Sequence, residues 1–436
     1  MFKRSTVFLL ALLLVAGVFV PVSLAQERVT ITVLNYMDLT APGTQRALEE
    51  VWYEFSVRNP NIVVVREDLY LDAFHNKTEA YAAADKLPDV VYMWPAGRST
   101  TLHTKGLVKD LRPLLGDDAQ YYYDYALANQ ASGFLAMIPS TRTSSHVMYV
   151  NAALLDELGL AIPETYEDLA AMVPVLRAKG LDTILMGAQD DWVLQSCLFS
   201  MIAGRFVGDA KFDQIKAGEA KFTDPEFLAA LEFYAQLYKD GVLSPKIMSI
   251  GYGEVVNLFA AGRAPFLIDG DWRAGAFITD DSTGEALISP EDQKNIKMLV
   301  FPAIQGEINH ASSSGTLGVG YGMSAKIPAG SAKEAAAWEL IKWLSGPEVQ
   351  AISFETSGTP PSRNDVKFTE VEPLLEERIY RFYNLIQADT YILDSFFEAD
   401  VFMPINVGLQ EIGLGLATPE DVAKATQAAF DKWFAK

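Results

Sequence analysis

The sequence predicts an α/β protein whose helices cover a mostly parallel sheet. Three observations carry that reading. From residue 29 onward the chain alternates strand and helix patterns. Half of the 436 residues are hydrophobic, and the length suits two domains. A single cysteine, Cys197, rules out an intramolecular disulfide and a thiolate zinc site, so burial must supply the stability.

The elements follow in order. Val29, Ile31 and Val33 alternate with Thr30 and Thr32, as in a half-buried strand. After Pro42-Gly43, residues Leu48, Val51, Trp52 and Phe55 recur at helical spacing, and Asn59-Pro60 ends the run. Ile62 to Val65 and Asp89 to Met93 are short apolar strands. Thr165, with Asp168 three residues on, opens a helix as a capping box does, and Leu169, Met172, Val173 and Leu176 form its stripe. Ile184 to Met186 is a strand. Asp224 as N-cap and Pro225 in the first turn start a helix whose face is Phe227, Leu231, Tyr234 and Tyr238 and which Gly241 ends. Phe266 to Ile268 and Met298 to Phe301 are strands, Ala335 to Leu344 is a helix, and the last helix runs from Thr418 to Trp433. Trp52, Trp338, Trp343 and Trp433 fall on helix faces suited to packing. No repeat, low-complexity tract or linker interrupts the chain, which suggests two lobes that exchange strands.

The N-terminus reads as an address. Lys3 and Arg4 precede an apolar run from Val7 to Val20, Pro21 breaks it, and Ser23-Leu24-Ala25 offers a cleavage site after Ala25. The run falls short of the roughly 20 residues a spanning helix needs. No cysteine lies near the cut, which excludes an acyl-lipid anchor. The net charge is −21, and −23 without Lys3 and Arg4 (33 basic against 56 acidic residues). Such a field repels nucleic acid and anionic membranes.

Catalytic machinery is hard to find. Gly-x-Ser-x-Gly is absent, and His75, His103, His146 and His310 have no His-Glu-x-x-His spacing. Gly315-Thr-Leu-Gly318-Val-Gly320 is glycine-rich but has the wrong spacing for a nucleotide loop. With 56 acids, a search for a glycosidase carboxylate pair decides nothing.

Several segments are informative through their order. They are Ile31-Thr-Val-Leu-Asn-Tyr36, Leu87-Pro-Asp-Val-Val-Tyr92, Gly106-Leu-Val-Lys-Asp-Leu111, Met148-Tyr-Val-Asn151 with Leu154-Leu-Asp-Glu-Leu-Gly159, and Pro163-Glu-Thr-Tyr166. Phe259-Ala-Ala-Gly-Arg-Ala-Pro-Phe266 with Gly270-Asp-Trp272, then Ala337-Trp338, Gly358 and Pro360-Pro361-x-Arg363, complete the series. Together, over nearly the whole chain after the leader, these resemble the family 1 extracellular solute-binding proteins, the maltose-binding-protein-like subunits of bacterial ABC importers. Tyr166 stands where that family usually has Trp. The resemblance implies a two-lobed, type II periplasmic-binding-protein fold, each lobe a mixed sheet flanked by helices, with the ligand cleft at the hinge. The expected division is a leader at 1–25, an N-terminal lobe of 26–140 plus 300–350, and a C-terminal lobe of 141–299 plus 351–436. It further implies a carrier that binds a carbohydrate and docks on a membrane permease. With a cleavable leader and no lipid-anchor cysteine, the protein is expected to be periplasmic and monomeric, without cofactor or metal.

Sugars present C–H faces, which aromatic rings cover, and hydroxyls, which carboxylates, amides and Arg bond. Ligand sites of open sheets lie where strands end. Those rules select Tyr36 after the first strand, Trp94 after the third, and Asp191 with Trp192 after the strand at Ile184, where a helix start is the equal alternative. They also select Asp271 and Trp272 after Phe266 to Ile268, with Trp272 the foremost stacking platform. Gly315, Arg363 and Arg142 join them as a loop backbone and two candidate hydroxyl donors. Tyr121 to Tyr123 are given a structural role, because adjacent side chains cannot easily share a metal. A binder of a polyamine or organophosphate is the main alternative, and an exported glycan-active enzyme the lesser one.

Overall fold

The computed structural model describes residues 28–435, apart from 41–43, 96, 124–125, 128–133, 281–282, 315–317 and 369–370. The expected leader and Gly315 fall outside the described residues.

The strands are β1 (Val29–Tyr36), β2 (Ile62–Leu69), β3 (Val90–Met93), β4 (Ile138–Pro139), β5 (Val147–Asn151), β6 (Ile184–Leu185), β7 (Phe266–Asp269), β8 (Ile296–Leu299), β9 (Ser312–Ser313), β10 (Gly320–Met323) and β11 (Ala388–Asp389). They form a sheet of order β2-β1-β3-β10-β4, a second of order β6-β7-β5-β8, and a β11-β9 pair. In the first, β1 runs parallel to β2 and β3, and β10 antiparallel to β3 and β4. In the second, β6 is parallel to β7, and β5 antiparallel to both β7 and β8. The mostly parallel sheet read from the alternation is therefore corrected to two mixed sheets. A helical crossover keeps strands parallel, whereas β10 and β5 each follow directly on a stretch that passes between the sheets.

Each sheet is buried on both faces. Around the first, Val33, Phe55, Leu340 and Ile341 form one cluster and Leu34, Phe74, Val91 and Met137 the other. Around the second, Val150, Leu198, Phe199 and Ile268 lie in one cluster, and Tyr149, Leu267, Phe259 and Phe382 in the other. Burial of each such side chain is worth about 1.5–3 kcal/mol.

Most local signals are realised. The helix after residue 43 comprises Thr44–Arg46, a π segment Ala47–Tyr53 and Glu54–Arg58, with Asn59 as its C-cap. The capping box at Thr165/Asp168 forms, and the last helix, read from Thr418, starts with a capping box of its own between Thr418 and Asp421. Asp224 precedes its helix but caps nothing with its side chain; its carboxylate pairs with Lys211 at 2.9 Å instead. β2 continues past Val65 through Arg66, Glu67 and Asp68, because an edge strand tolerates charge and β1 pairs with it over its whole length. β8 ends at Leu299, and Phe301 packs on the helices of the second sheet.

The chain passes between the sheets at 140–146, again at 312–314 and 318–319, and along the helix Pro347–Ser357, which has Val349 in the first sheet's core and Phe354 in the second's. The first two passages are tied to each other. Ser140 N–H donates to the Val319 carbonyl at 2.9 Å, and Gly318 N–H to that of Thr141 at 3.0 Å. The Ser144 and Ser313 hydroxyls lie 2.7 Å apart, and Ser314 N–H donates to His146 Nδ1 at 3.0 Å. The glycine-rich stretch has its reason here. A β-carbon on Gly318, Gly320 or Gly322 would collide with the carbonyl of Thr141, Ile138 or Ala136 respectively.

Candidate functional site

In the first lobe the three parallel strands deliver aromatic residues to one place. Tyr36 closes β1, Tyr70 follows β2 and Trp94 follows β3. The Tyr36 ring centroid lies 4.9 Å from those of Tyr70 and Trp94, and 5.6 Å from Tyr92, on which it stacks. His75 adds a ring 4.9 Å from Trp94, and buried Phe74 supports both Tyr36 and Trp94. A polar chain braces the group from behind. Tyr92 meets Tyr321 edge-on at 5.3 Å, and the Tyr321 hydroxyl donates to Asn35 Oδ1 at 2.9 Å. Asn35 Nδ2 donates to Asp68 at 2.8 Å, and Arg66 Nε to the same carboxylate at 2.6 Å.

The second lobe offers a matching group at the ends of β6 and β7. Trp192 lies 4.9 Å from Tyr252 and 6.4 Å from Trp272. Trp272 Nε1 donates to the Tyr252 hydroxyl at 2.5 Å, and that hydroxyl bonds Asp269 Oδ1 at 3.2 Å. Arg273 is the local cation. Its guanidinium lies 3.8 Å from the Tyr252 ring centroid, and it donates to Asp269 at 2.7 Å and to the Tyr252 carbonyl at 2.7 Å. Burial alone would lower the Arg273 pKa, but Tyr252 and Asp269 outweigh it and raise the pKa. The pair is thus a self-neutralised scaffold. Burial raises the Asp190 carboxyl; the Tyr252 N–H it accepts at 3.2 Å opposes this, and Asp72 of the first lobe reinforces it.

The two groups meet. Tyr70 and Leu71, from the first lobe, pack against the core cluster of the second, as do Trp192 and Trp272. What results is two aromatic groups, one from each lobe, joined through Tyr70 beside a guanidinium that is already paired. Such a surface suits a flat, neutral, hydroxylated ligand.

The structure brings together four of the residues selected from sequence, with a fifth beside them. Tyr36 and Trp94 stand together in the first lobe and Trp192 with Trp272 in the second, and partly buried Asp191 adjoins Trp192. Three others lie elsewhere. Asp271 is fully buried and accepts from Thr143 Oγ1 at 2.7 Å, Ser144 N–H at 3.0 Å and the Tyr383 hydroxyl at 2.6 Å. Its carboxylate ties the first passage to the second lobe, and burial raises its pKa to about 6. Arg142 sits over the Tyr383 ring at 4.4 Å in the same joint. Arg363 bonds Asp365 through Nε and Nη2 at 2.8 and 2.7 Å and covers Tyr122 at 4.7 Å. It braces the Tyr121 to Tyr123 segment, where the Tyr122 hydroxyl donates to the Ser345 carbonyl at 3.1 Å, in keeping with a structural role.

Sequence reasoning passed over Tyr70, His75 and Tyr252. Tyr70 obeys the strand-exit rule and was hidden because β2 was ended at Val65. Tyr252 stands in a Gly-Tyr-Gly loop that carries no strand signal of its own.

Residues 53–372 match the family model of the bacterial extracellular solute-binding proteins. The chain belongs to that family. No curated protein sequence matches it. Among solved structures it is similar to one from work on xylan utilization by the thermophilic bacterium Caldanaerobius polysaccharolyticus, with a TM-score of 0.81, 22% identity, and coverage of 92% of this chain and 99% of that one. A chitin oligosaccharide binding protein superposes with a TM-score of 0.81 at 21% identity over 94% of this chain and 100% of its own. The maltose/maltodextrin-binding domain of Bdellovibrio bacteriovorus bound to maltotriose gives 0.70 at 18% identity, over 94% of this chain and 100% of that one. At these identities the likeness establishes the two-lobed fold.

Proposed function

We propose that this protein captures a carbohydrate between its lobes, without transforming it, and presents it to the permease of an ABC importer. The observation that carries the reading is the pairing of aromatic strand exits across the cleft, Tyr36, Tyr70 and Trp94 on one side and Trp192, Tyr252 and Trp272 on the other, around an already neutralised Arg273. Rings on both sides can cover the C–H faces of a sugar, while the rim carboxylates Asp190 and Asp191 accept from its hydroxyls. The chitin oligosaccharide and maltotriose named for two of the similar structures agree with this chemistry.

The lobes are divided as follows in this reading. Residues up to about 140, those from about 318 to 349 and the stretch around 361 to 365, which bonds to Tyr121 to Tyr123 and Pro139, build the first, and the rest the second, so the return to the first lobe comes later than residue 300. Phe301 and Ile304 in the second lobe's core support that shift. The leader is cut after Ala25, and the carrier diffuses in the periplasm as a monomer without a lipid anchor.

The test is a thermal-shift panel of maltotriose, xylotriose, chitotriose and raffinose, with putrescine and glycerol 3-phosphate as contrasts. At 100 times Kd a ligand adds about 2.7 kcal/mol of stability, a shift that is easily read. Stabilisation by one or more sugars is expected, with no turnover of chromogenic glycosides. A response confined to putrescine or the phosphate ester would sink the carbohydrate reading.

A further inference from the structure

The turn between β2 and the helix Asp72–Ala83 is built against its own backbone preference. Leu71 has φ 50° and ψ −138°, a region that glycine enters freely and leucine does not. Its carbonyl accepts from Phe74 N–H at 2.9 Å and His75 N–H at 3.3 Å, so the bend starts the helix that supplies two rings of the aromatic cleft. A strained residue persists where its surroundings over-determine it. Here part of those surroundings belongs to the other lobe. Tyr70 and Leu71 are the partly buried apolar residues of the first lobe, among the described residues, that pack on the second lobe's core cluster, while the first-lobe helix Gly97–Thr104 lies against Leu393–Phe396. Tyr70 also lies 4.9 Å from Tyr36 and faces Arg273 and Asp269.

We propose that the Tyr70–Leu71 turn is the interlobe latch of the cleft. The strained Leu71 backbone aims Tyr70 at the Tyr252, Arg273 and Asp269 group, and this contact sets how far the lobes part and how fast a ligand leaves. Tyr70 makes the contact and Leu71 is a positioning residue. The consequence for ligand release rests on the cleft being the ligand site; the consequence for lobe separation does not.

Two substitutions at one position separate backbone from side chain. Leu71→Ala deletes the packing and keeps the strain, whereas Leu71→Gly deletes the packing and relieves the strain. A merely local structural role would move the melting temperature of these variants and leave the lobe separation alone. A latch moves the separation, with Leu71→Gly the more closed of the two.

The experiment is small-angle X-ray scattering on the full chain, with and without maltotriose, xylotriose, chitotriose and raffinose, together with stopped-flow dissociation of each sugar read by tryptophan fluorescence. Without sugar, Tyr70→Ala and Leu71→Ala are expected to show a larger radius of gyration than wild type, and Leu71→Gly to fall between Leu71→Ala and wild type. Dissociation from Tyr70→Ala should be roughly tenfold faster, the change that 1.4 kcal/mol produces. Wild-type scattering from both alanine variants overturns the latch, whether or not their melting temperature moves. If those variants do not fold, Tyr70→Leu decides, because it keeps apolar bulk but removes the ring that packs on the second lobe, and a wild-type radius of gyration overturns the latch. Expected scattering with no sugar bound would remove the carbohydrate reading and keep the latch; sugar binding with unchanged scattering would do the reverse.

Discussion

The indole of Trp272 lies over the α-carbon of Gly270, so close that a β-carbon there would overlap three carbons of its six-membered ring. Gly270 has φ −85° and ψ 168°, which alanine adopts without strain. Its lack of a side chain therefore serves the neighbouring ring and not the backbone. Together with the bond from Nε1 to Tyr252, this contact fixes the plane in which Trp272 faces the cleft.

Gly270→Ala should therefore tilt the Trp272 ring and weaken sugar binding while leaving the sheet intact. Trp272→Ala should weaken it by about tenfold or more, since an aromatic contact is worth about 0.5–1.5 kcal/mol beyond its area and 1.4 kcal/mol is tenfold. Calorimetric titration of whichever sugar stabilises the wild type measures both. Wild-type Kd in the two variants would remove Trp272 from the site.

Arg363 separates a bracing role from a binding one. Its guanidinium is held by Asp365 and two tyrosine rings, with 8% of the side chain exposed. Arg363→Met leaves Asp365 without this partner and should lower the melting temperature, with a cost of about 1–3 kcal/mol for a partly exposed carboxylate left behind. Sugar Kd should not change. A Kd that weakens while the melting temperature holds would return Arg363 to the ligand.

Gly320 pairs with Met93 and Pro139 in the first sheet, and its missing side chain makes room for the Ile138 carbonyl. Gly320→Ala should destabilise the first lobe by about 1–3 kcal/mol through overpacking. Denaturant unfolding measures it. An unchanged midpoint would leave the glycine-rich stretch without this explanation.

How much of this was legible in the chain depends on the range of the interaction. Capping boxes, apolar stripes and the strand exits at Tyr36 and Trp94 are local, and each followed from neighbours in sequence. The fate of Asp271 was not local. It shares a strand exit with Trp272, but Thr143, Ser144 and Tyr383, more than a hundred residues away, claim its carboxylate. The direction of β10 and β5 was hidden for the same reason, because only the passages between the lobes decide it. Tyr70 was missed through a boundary: Arg66, Glu67 and Asp68 read as a strand's end, yet on an edge strand their side chains have polar partners and the pairing runs on.

His146 gives the hinge a pH dependence whose sign can be worked out. The side chain is buried where the first two passages meet, with Nδ1 accepting from Ser314 N–H. Burial drives its pKa down to about 3, nearby Arg205 adds to the shift and the Ser196 backbone opposes it. An unfolded histidine titrates near 6.5. Between those values the unfolded chain binds the extra proton, so stability is fully present above about pH 6.5 and falls as the pH drops toward about 3. At about 1.4 kcal/mol per pKa unit the loss reaches several kcal/mol. His146→Asn retains an acceptor near Nδ1 but cannot ionise. It should flatten the acid side of the stability curve, read from urea unfolding at a series of pH values between 4 and 7. Asp271 acts oppositely over part of this range, since a carboxyl raised to about 6 makes stability fall as pH rises from about 4 to 6. The double variant His146→Asn/Asp271→Asn removes both slopes. If His146→Asn follows the wild-type curve throughout, the histidine is not the group that makes this joint sensitive to acid.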